Sequence, residues 1–291
     1  MKSFQVIGDP IAHSRSPQIH RAFAAQFGHE IDYQKARVSG AQLAEHLDAF
    51  RGRGGAGLNV TVPHKEAAFH YVDEADEHAR VAKAVNTISF TASQALGSNT
   101  DGQGLVRDIE QRYGLLLKDR NVLILGAGGA TRGVILPLLM SGVRVIFVAN
   151  RTAARARFLV VDLTARLPEE FAGRLAVVEP PVATLPGGTH ADIIINATSL
   201  SVASDHADAG DYGGLIVPQT LRGGFCYDMS YGAGALFTRY ARDHGAGHGV
   251  DGLGMLVEQA ALAYEIWHGV MPDTDPVYRD LRRSIDATTR A

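Results

Sequence analysis

The chain has 291 residues, 46% hydrophobic content and a formal net charge of −3. A chain of this length and apolar content can bury a substantial core and suggests two domains, while the charge gives no sign of a nucleic-acid partner. The single cysteine, Cys226, excludes an intrachain disulfide framework, and its apolar neighbours predict a buried thiol. No apolar run approaches about 18 residues and the first residues lack a signal-peptide core, so we expect a cytoplasmic protein without a membrane partner.

The first part of the chain alternates strands with helices. Residues 4–8, 32–38 and 57–62 have the apolar patterns of strands, and residues 41–50 have that of an amphipathic helix. This order predicts a βαβ layout without a glycine fingerprint of its own.

Serines mark the start of the first predicted helix. In residues 12–20, Ser16 followed by Pro17 predicts an N-cap and a first helical residue. The hydroxyls of Ser14 and Ser16 could also hold a carboxylate there, because free N–H groups and the helix dipole favour an anion. The residues alone leave capping and ligand binding equally open.

The third predicted strand ends in a polar segment, NVTVPHKE at residues 59–66. Asn59 and Thr61 share one face of the strand, and Pro63 then turns the chain into a helix that carries Lys65. Open α/β sheets bind ligands at the carboxyl ends of their strands. The alternative for Lys65 is a solvated lysine in an ordinary turn.

Two more polar positions follow. Asn86 comes after an alanine-rich helix end. Thr100 and Gln103 have the spacing of a capping box, which puts Asp101 in the first turn of the next helix. Because the helix dipole there favours a carboxylate, we expect Asp101 to be charged near neutral pH.

Residues 121–133, NVLILGAGGATRG, combine a buried strand, a glycine-rich turn and a helix start. Gly126 and Gly128 fit the G-x-G-x-x-G pattern, although Thr131 stands at the third position. Glycines permit positive φ and let backbone N–H groups approach a pyrophosphate at the helix N-terminus. The segment therefore predicts the dinucleotide-binding turn of a Rossmann unit.

The residues after the next strand, 143–149, bear on which dinucleotide binds. An acidic residue in place of Asn150 would bond a ribose 2′-hydroxyl and repel a 2′-phosphate. The chain instead has Asn150 followed closely by Arg151, Thr152 and Arg155, which favours NADP over NAD. The alternative is a solvated basic helix start.

The remaining strands predict a doubly wound sheet. They lie near residues 175–179, 191–196 and 224–228, and the Pro-, Gly-, Ser- and Asp-containing segments 180–190 and 201–214 are interpreted as exposed loops.

Two late segments carry candidate ligand contacts. Thr198, at a strand's carboxyl end, is a candidate cofactor contact or part of an ordinary turn. Residues 251–269 predict a helix with Gly252, Met255 and Gln259 on one face. Gln259 is costly on an apolar helix unless it is hydrogen bonded.

A collinear series of motifs resembles the shikimate dehydrogenase family over nearly the whole chain. The motifs are HSRSP at 13–17, NVTVPHK at 59–65, AVNT at 84–87, NTDG at 99–102, GAGGATRG at 126–133, NRT at 150–152, NATS at 196–199, YDMSY at 227–231 and GMLVEQ at 254–259. The resemblance implies a two-domain α/β fold. An N-terminal α/β substrate domain, residues 1–102, is completed by C-terminal helices, residues 251–291. An inserted Rossmann-type NADP-binding domain, residues 103–250, lies between them in the chain, and the active site is expected in the cleft.

The same resemblance implies the reaction and its residues. The reaction would be the NADPH-dependent, reversible reduction of 3-dehydroshikimate to shikimate in aromatic amino-acid biosynthesis, without a metal, by a monomer or homodimer. Lys65 and Asp101 are the implied catalytic residues. The implied substrate-binding residues are Ser14, Ser16, Asn59, Thr61, Lys65, Asn86, Asp101, Tyr231 and Gln259. The implied cofactor-binding residues are Glu77, Gly126, Ala127, Gly128, Gly129, Ala130, Asn150, Arg151, Thr152, Arg155, Thr198, Met229 and Gly252.

Two alternatives stay open. One is a related dehydrogenase of the same superfamily that acts on quinate or another cyclohexane carboxylate; the presence of both Ser14 and Ser16 favours shikimate. The other is a non-catalytic, NADP-binding regulatory protein, which is disfavoured because Lys65 and Asp101 are both present.

Overall fold

The computed structural model describes residues 1–198 and 209–290. The chain divides into two compact units. The first comprises Met1–Gly104 and Leu256–Leu281, and the second comprises Leu105–Met255 and Arg282–Ala291. Each unit contains one six-stranded sheet. Among the described residues, no helix has both the length and the apolar character needed to cross a membrane.

The first unit contains a mixed sheet in the order β2-β1-β3-β5-β6-β4. Its strands are β1 (Lys2–Gly8), β2 (Ile31–Arg37), β3 (Gly55–Val60), β4 (Glu74–Ala75), β5 (Thr87–Phe90) and β6 (Ala95–Ser98). The helices of this part of the chain are α1 (Ser16–Gln26), α2 (Leu43–Gly52), α3 (Lys65–Tyr71), α4 (Glu77–Ala82) and α5 (Asp101–Arg107). Strands β1, β2 and β3 are parallel, and β5 is antiparallel to β3 and β6. The sequence did not predict β4, β5 or β6, because these short strands contain polar residues or glycine in place of a continuous apolar run.

Strand β1 alternates its side chains between two apolar layers of the first unit. Phe4 packs with Tyr33 and Trp267 on one side, whereas Ile7 joins a cluster with Leu58 on the other. The indole Nε1 of Trp267 donates to the carbonyl of Ile88 at 3.1 Å. The period-two pattern of β1 thus gives both faces of the sheet an apolar cover.

His20 on α1 is buried in the first of these layers, and its ring stacks on Tyr33 at 4.5 Å between centroids. Burial lowers the pKa of His20 to about 3, from an ordinary value of 6.5. The unfolded chain therefore binds a proton at this residue below about pH 6.5 that the folded chain does not bind until much lower pH.

We expect this difference to make the protein less stable as the pH falls below about 6.5. Loss of up to about 1.4 kcal/mol of unfolding free energy per pH unit is expected from His20 alone. Denaturant unfolding between pH 7 and pH 5 should show a flatter pH dependence for His20→Phe than for the wild type. The exposed His190 provides a control, since His190→Gln should leave the slope unchanged. Equal slopes for wild type and His20→Phe would contradict the interpretation.

The second unit contains a fully parallel sheet in the order β12-β11-β10-β7-β8-β9. Its strands are β7 (Asn121–Leu125), β8 (Val145–Ala149), β9 (Leu175–Val177), β10 (Ile193–Asn196), β11 (Phe225–Asp228) and β12 (His248–Asp251). The helices of this later part of the chain are α6 (Gly129–Met140), α7 (Ala153–Thr164), α8 (Leu236–Asp243), α9 (Leu253–His268) and α10 (Asp275–Arg290). The unit's first strand, β7, lies between β8 and β10, which is the strand order of a doubly wound nucleotide-binding sheet. The sequence did not predict β12, a short strand with two polar residues.

Two segments predicted to be exposed loops contribute instead to the core of the second unit. Val182 and Leu185 are buried, and Val182 forms a parallel bridge with Ile216. Tyr212 is buried in the same apolar cluster. The prediction for 180–190 and 201–214 was therefore wrong at these positions, because a few apolar residues in a loop-like composition cover the sheet. Residues 201–208 lie outside the described part of the chain.

The predicted burial of Cys226 is confirmed. Its side chain is fully buried in β11, and burial raises the pKa of the thiol to about 12. The thiolate, which is the reactive form of cysteine, is therefore scarce at neutral pH.

Candidate active site

Lys65 and Asp101 form an ion pair in the first unit. Lys65 is the first residue of α3, directly after the segment that follows β3, and Asp101 is the first residue of α5. The Lys65 Nζ lies 2.5 Å from the Asp101 Oδ2, and the two side chains are 25% and 12% exposed. The amine is thus held by a carboxylate but can still be reached from outside.

Asn86 holds the second oxygen of this carboxylate. Its Nδ2 donates to the Asp101 Oδ1 at 2.9 Å, while its Oδ1 accepts from the backbone N–H of Thr100 at 3.0 Å. The Gln259 Oε1 lies 3.4 Å from the same Nδ2. Gln259 can approach because Gly104 has no side chain; a Cβ there would lie 2.7 Å from the Gln259 backbone nitrogen. The structure therefore brings Lys65, Asp101, Asn86 and Gln259 together.

The capping box predicted for Thr100 and Gln103 is wrong. The Thr100 hydroxyl donates to the Gln259 carbonyl at 3.0 Å, and the Gln103 amide pairs with the His78 ring at 2.8 Å. Tertiary partners have replaced the local hydrogen bonds that the spacing would allow.

Ser14 and Ser16 lie at the start of α1. The Ser14 Oγ donates to the Ser16 Oγ at 3.2 Å and accepts from the Ser16 backbone N–H at 3.3 Å. Ser16 is the first residue of the helix and Arg15 is its N-cap, so the prediction of Ser16 as N-cap was wrong by one residue. The first helical N–H, that of Ser16, instead donates to Ser14, which lies one residue before the N-cap.

Thr61 and Asn59 belong to the end of β3 but differ in accessibility. Thr61 follows the strand and is partly exposed. Asn59 is buried, and its Oδ1 accepts from the Tyr33 hydroxyl at 2.6 Å. Strands β1 and β3 are parallel neighbours, so the segments that carry Ser14 and Thr61 leave the same edge of the sheet.

In the second unit, the glycine-rich turn follows β7 as predicted. Gly126 has φ +113°, and a Cβ there would lie 2.9 Å from the Ala197 carbonyl carbon and oxygen. Glycine is therefore required at this position for both conformation and space. The buried Thr131 donates from its hydroxyl to the Gly126 carbonyl at 2.9 Å. This bond explains the departure from the fingerprint, since Thr131 holds the turn where glycine is usual.

The residues around this turn are open to a ligand. Gly128 is the N-cap of α6, and Gly129 and Ala130 are exposed in its first turn, while Ala127 is partly buried. The N-terminus of a helix with accessible N–H groups favours a phosphate. Thr198 follows β10, the neighbour of β7, and its hydroxyl donates to the Asn196 Oδ1 at 2.7 Å. Strands β7 and β10 flank the switch point of the sheet, where doubly wound folds bind nucleotides.

A basic surface follows β8. The Asn150 Nδ2 donates to the Thr152 carbonyl at 2.9 Å, and Thr152 is the N-cap of α7. Arg151 and Arg155 are exposed at this helix start, so their guanidinium groups are accessible to an anion. Together with the open N-terminus of α6, these residues fit a dinucleotide that carries a 2′-phosphate.

Three further candidates lie near the ends of β11 and β12. Met229 follows β11, and its backbone N–H donates to the Asn196 carbonyl at 3.0 Å. Gly252 donates to the Ser230 carbonyl at 2.9 Å, and a Cβ at Gly252 would overlap the Met229 carbonyl. Gly252 precedes α9, so its predicted place on a helix face with Gln259 was wrong. Tyr231, which follows Met229 and Ser230 after β11, is partly exposed.

Glu77 stands apart from the other cofactor candidates. It is an exposed residue at the start of α4 in the first unit, whereas the others lie in the second. Asp76, its neighbour, caps the helix by accepting from the Ala79 N–H at 2.7 Å. Within the described residues, no cluster of three or more His, Cys, Asp or Glu could hold a metal ion.

A doubly wound sheet with an open glycine turn, in a chain whose other unit holds a paired lysine and carboxylate, defines the class of dinucleotide-dependent oxidoreductases. Family models match the chain as the shikimate dehydrogenase substrate-binding domain at residues 6–88, shikimate/quinate 5-dehydrogenase at 108–203, and the shikimate 5′-dehydrogenase C-terminal domain at 252–282. The chain belongs to the shikimate dehydrogenase family.

Individual relatives agree with this membership. A shikimate dehydrogenase (NADP(+)) of Alkalilimnicola ehrlichii is 45% identical over 96% of this chain and 98% of its own length. Among solved structures, an Ael1 enzyme from Pseudomonas putida has a TM-score of 0.84 and 37% identity, covering 97% of this chain and 98% of its own. Shikimate 5-dehydrogenase from Thermus thermophilus, in complex with NADP(H) and shikimate, has a TM-score of 0.76 and 30% identity, covering 97% and 99%.

Proposed function

We propose that Lys65 and Asp101 carry the acid–base chemistry of this chain's reaction, the NADPH-dependent, reversible reduction of 3-dehydroshikimate to shikimate. Membership of the shikimate dehydrogenase family gives the reaction, which serves aromatic amino-acid biosynthesis. The observation that carries the assignment of the residues is the 2.5 Å contact between the Lys65 Nζ and the Asp101 Oδ2.

The reaction needs a proton at the carbonyl oxygen. NADPH, when bound, would supply a hydride to the ketone carbon, and the oxygen would take up negative charge as the carbonyl becomes an alcohol. Lys65 donates a proton from Nζ to this oxygen in the reduction and accepts it in the oxidation. Asp101 accepts a hydrogen bond from Lys65, which orients the amine.

We assign the substrate to the first unit. The hydroxyls of Ser14 and Ser16 bind the substrate carboxylate, because they lie at the N-terminus of α1, where the helix favours an anion. The partly exposed Thr61 and Gln259, together with Asn86, bind the substrate hydroxyls. Asn59 supports them from within the sheet.

We assign NADP to the second unit. The backbone from Gly126 to Ala130 binds the pyrophosphate, and Thr198 extends this contact from the neighbouring strand. Arg151 and Arg155 bind the 2′-phosphate, for which their exposed guanidinium groups are suited.

Replacing Arg151 by alanine is expected to raise the KM for NADP roughly tenfold and to leave the KM for NAD nearly unchanged. A charge-assisted hydrogen bond to a phosphate is worth about 1.5–3 kcal/mol, and solvent exposure reduces this value. Steady-state kinetics with both cofactors measures the effect. Arg157→Ala is the matched control, because Arg157 is exposed on the same helix but pairs with Glu179. Equal losses with NADP and NAD would show that Arg151 supports the fold instead.

An absorbance assay at the nicotinamide band tests the proposed function. Purified protein is combined with NADP or NAD and with shikimate or quinate, and we expect the highest kcat/KM for NADP with shikimate. A higher value with quinate would identify the chain as a dehydrogenase of the related cyclohexane carboxylate. Binding of NADP without turnover of either compound would identify a non-catalytic NADP-binding protein.

Two finer points belong to the same proposal. The enzyme acts in the cytoplasm, which is supported by its single cysteine, since disulfides are typical of exported proteins and one cysteine cannot form an intrachain disulfide. It acts as a monomer or homodimer, and light scattering after size exclusion distinguishes the two.

A further inference from the structure

A chain of buried hydrogen bonds leads from the core of the first unit to Asp101. The Tyr33 hydroxyl donates to the Asn59 Oδ1 at 2.6 Å, and the Asn59 Nδ2 donates to the Thr87 Oγ1 at 3.2 Å. The Thr87 hydroxyl donates to the Asn86 Oδ1 at 2.9 Å, and the Asn86 Nδ2 donates to the Asp101 Oδ1 at 2.9 Å. Tyr33 and Thr87 are fully buried, and Asn59 and Asn86 are nearly so.

The direction of this series of hydrogen bonds is fixed at the end next to Asp101. The backbone N–H of Thr100 can only donate, and it points at the Asn86 Oδ1 at 3.0 Å. The Asn86 amide therefore presents its Nδ2 to Asp101, which as a carboxylate can only accept. An inverted Asn86 amide would place two acceptors against each other at Asp101.

The fixed amide of Asn86 determines each earlier bond. Because the Asn86 Oδ1 accepts, Thr87 must use its one hydroxyl proton there, and its lone pairs are left to accept from Asn59. The Asn59 Oδ1 then faces Tyr33, which must donate. Hydrogen bonds that run in one sense polarise one another, so the chain strengthens the last bond, the one to the carboxylate.

Tyr33, at the other end of this series of hydrogen bonds, is held in place by aromatic packing. The Tyr33 ring lies between aromatic neighbours, 4.5 Å from the His20 ring and 6.4 Å from the Phe4 ring. Burial raises the pKa of Tyr33 well above its ordinary value, so its hydroxyl stays protonated as a donor.

We infer that Tyr33 and Thr87 are positioning residues for catalysis, acting through Asn59 and Asn86 to hold the Asp101 carboxylate in the orientation that presents its other oxygen to Lys65. This inference rests on the proposed function, because it assumes that the Lys65–Asp101 pair carries the chemistry. Neither residue needs to touch the substrate, and each contributes one hydroxyl whose removal takes a hydrogen bond out of this series.

The test compares hydroxyl-deleting variants of nearly the same shape. Thr87→Val is expected to lower kcat about tenfold, because a small displacement of a catalytic group lowers the rate substantially. Tyr33→Phe is expected to lower kcat about threefold, because Tyr33 is separated from Asp101 by more hydrogen bonds. The KM for shikimate should change less than kcat in both variants, since neither deleted hydroxyl is assigned to the substrate. Thr87→Ser keeps the hydroxyl and should restore most of the kcat.

Tyr264→Phe is the matched control. It also removes a buried tyrosine hydroxyl in the first unit. This hydroxyl contacts the His29 ring at 2.6 Å and takes no part in the hydrogen bonds that lead from Tyr33 to Asp101. We expect a lower melting temperature but an unchanged kcat for this variant.

The outcomes are separable from those of the proposed function. A wild-type protein that does not oxidise shikimate with NADP overturns the proposed function and with it this inference. An active wild type whose Thr87→Val and Tyr33→Phe variants keep full kcat, while both lose thermal stability as Tyr264→Phe does, overturns the inference alone. If Thr87→Val does not fold, Tyr33→Phe and Thr87→Ser decide: full kcat in Tyr33→Phe refutes the inference, and a selective fall in kcat supports it.

Discussion

Replacing Lys65 by methionine is expected to lower kcat by roughly 10²–10⁴-fold at saturating shikimate, or about 3–5 kcal/mol of transition-state stabilisation. Methionine retains the length of the side chain but has no proton to give, so the developing negative charge on the substrate oxygen would rely on water. The KM for NADP should hardly change, because the residues assigned to the cofactor lie in the second unit.

Two more variants separate the possible roles of this amine. Lys65→Arg keeps the positive charge but does not readily release a proton, because the pKa of a guanidinium is above about 12. If proton transfer is the main contribution, Lys65→Arg should be nearly as slow as Lys65→Met; if charge alone is sufficient, it should retain much of the activity. Lys118→Met, at an exposed lysine of the second unit, is the control. A near-normal kcat for Lys65→Met would reduce Lys65 to a binding group and assign the proton to water or Asp101.

Asp101→Asn is expected to lower kcat by roughly 10²-fold, since a neutral amide holds the lysine in place less strongly than the carboxylate does. Asparagine has nearly the same shape, so the change isolates charge from packing. Steady-state assays of the single variants and of Lys65→Met/Asp101→Asn give a double-mutant cycle. The double variant should lose less than the sum of the single losses, because the two side chains act as a unit. Strict additivity would show that they act independently.

Stability measurements on the same variants provide a second reading. Lys65→Met leaves a carboxylate that is only 12% exposed without its cation, which should lower the free energy of unfolding. The additional change Asp101→Asn removes the uncompensated charge, and we expect it to restore part of that loss. Denaturant unfolding at neutral pH measures both effects.

The fold was predictable wherever a strong local signal coincided with burial. The strand 121–125 and its glycine turn were found because Gly126 needs positive φ and lies against Ala197, a demand that other residues rarely meet. Strands β4, β5, β6 and β12 were missed because each is short and contains polar residues or glycine, whereas the equally short β9, β10 and β11 were predicted from their apolar residues. Tyr212 was missed for a related reason, since a loop-like composition concealed a residue that covers the core.

The proximity of Lys65 and Asp101 was predictable from the sequence, but the hydrogen bonds around them were less so. Lys65 and Asp101 follow from motifs that each place a polar residue after a strand, and the structure pairs them. The capping box predicted for Thr100 and Gln103 was wrong, because the Thr100 hydroxyl donates to the carbonyl of Gln259 on α9, far away in the sequence. Tyr33 and Thr87 gave no sequence signal of a role, although Thr87 adjoins Asn86. Their part in the hydrogen-bond chain depends on three strands of one sheet and can only be read from the folded chain.

The only tryptophan of the chain gives the first unit its own spectroscopic reporter. Trp267 is buried against β1 and β2, and its indole is hydrogen bonded to Ile88 in β5. Its fluorescence therefore follows the melting of this sheet, whereas circular dichroism follows both sheets. If the two units unfold as separate cooperative steps, the fluorescence transition will coincide with only one of the two steps seen by circular dichroism. Saturating NADP, bound to the second unit, should then shift the other step to higher denaturant concentration and leave the fluorescence midpoint in place.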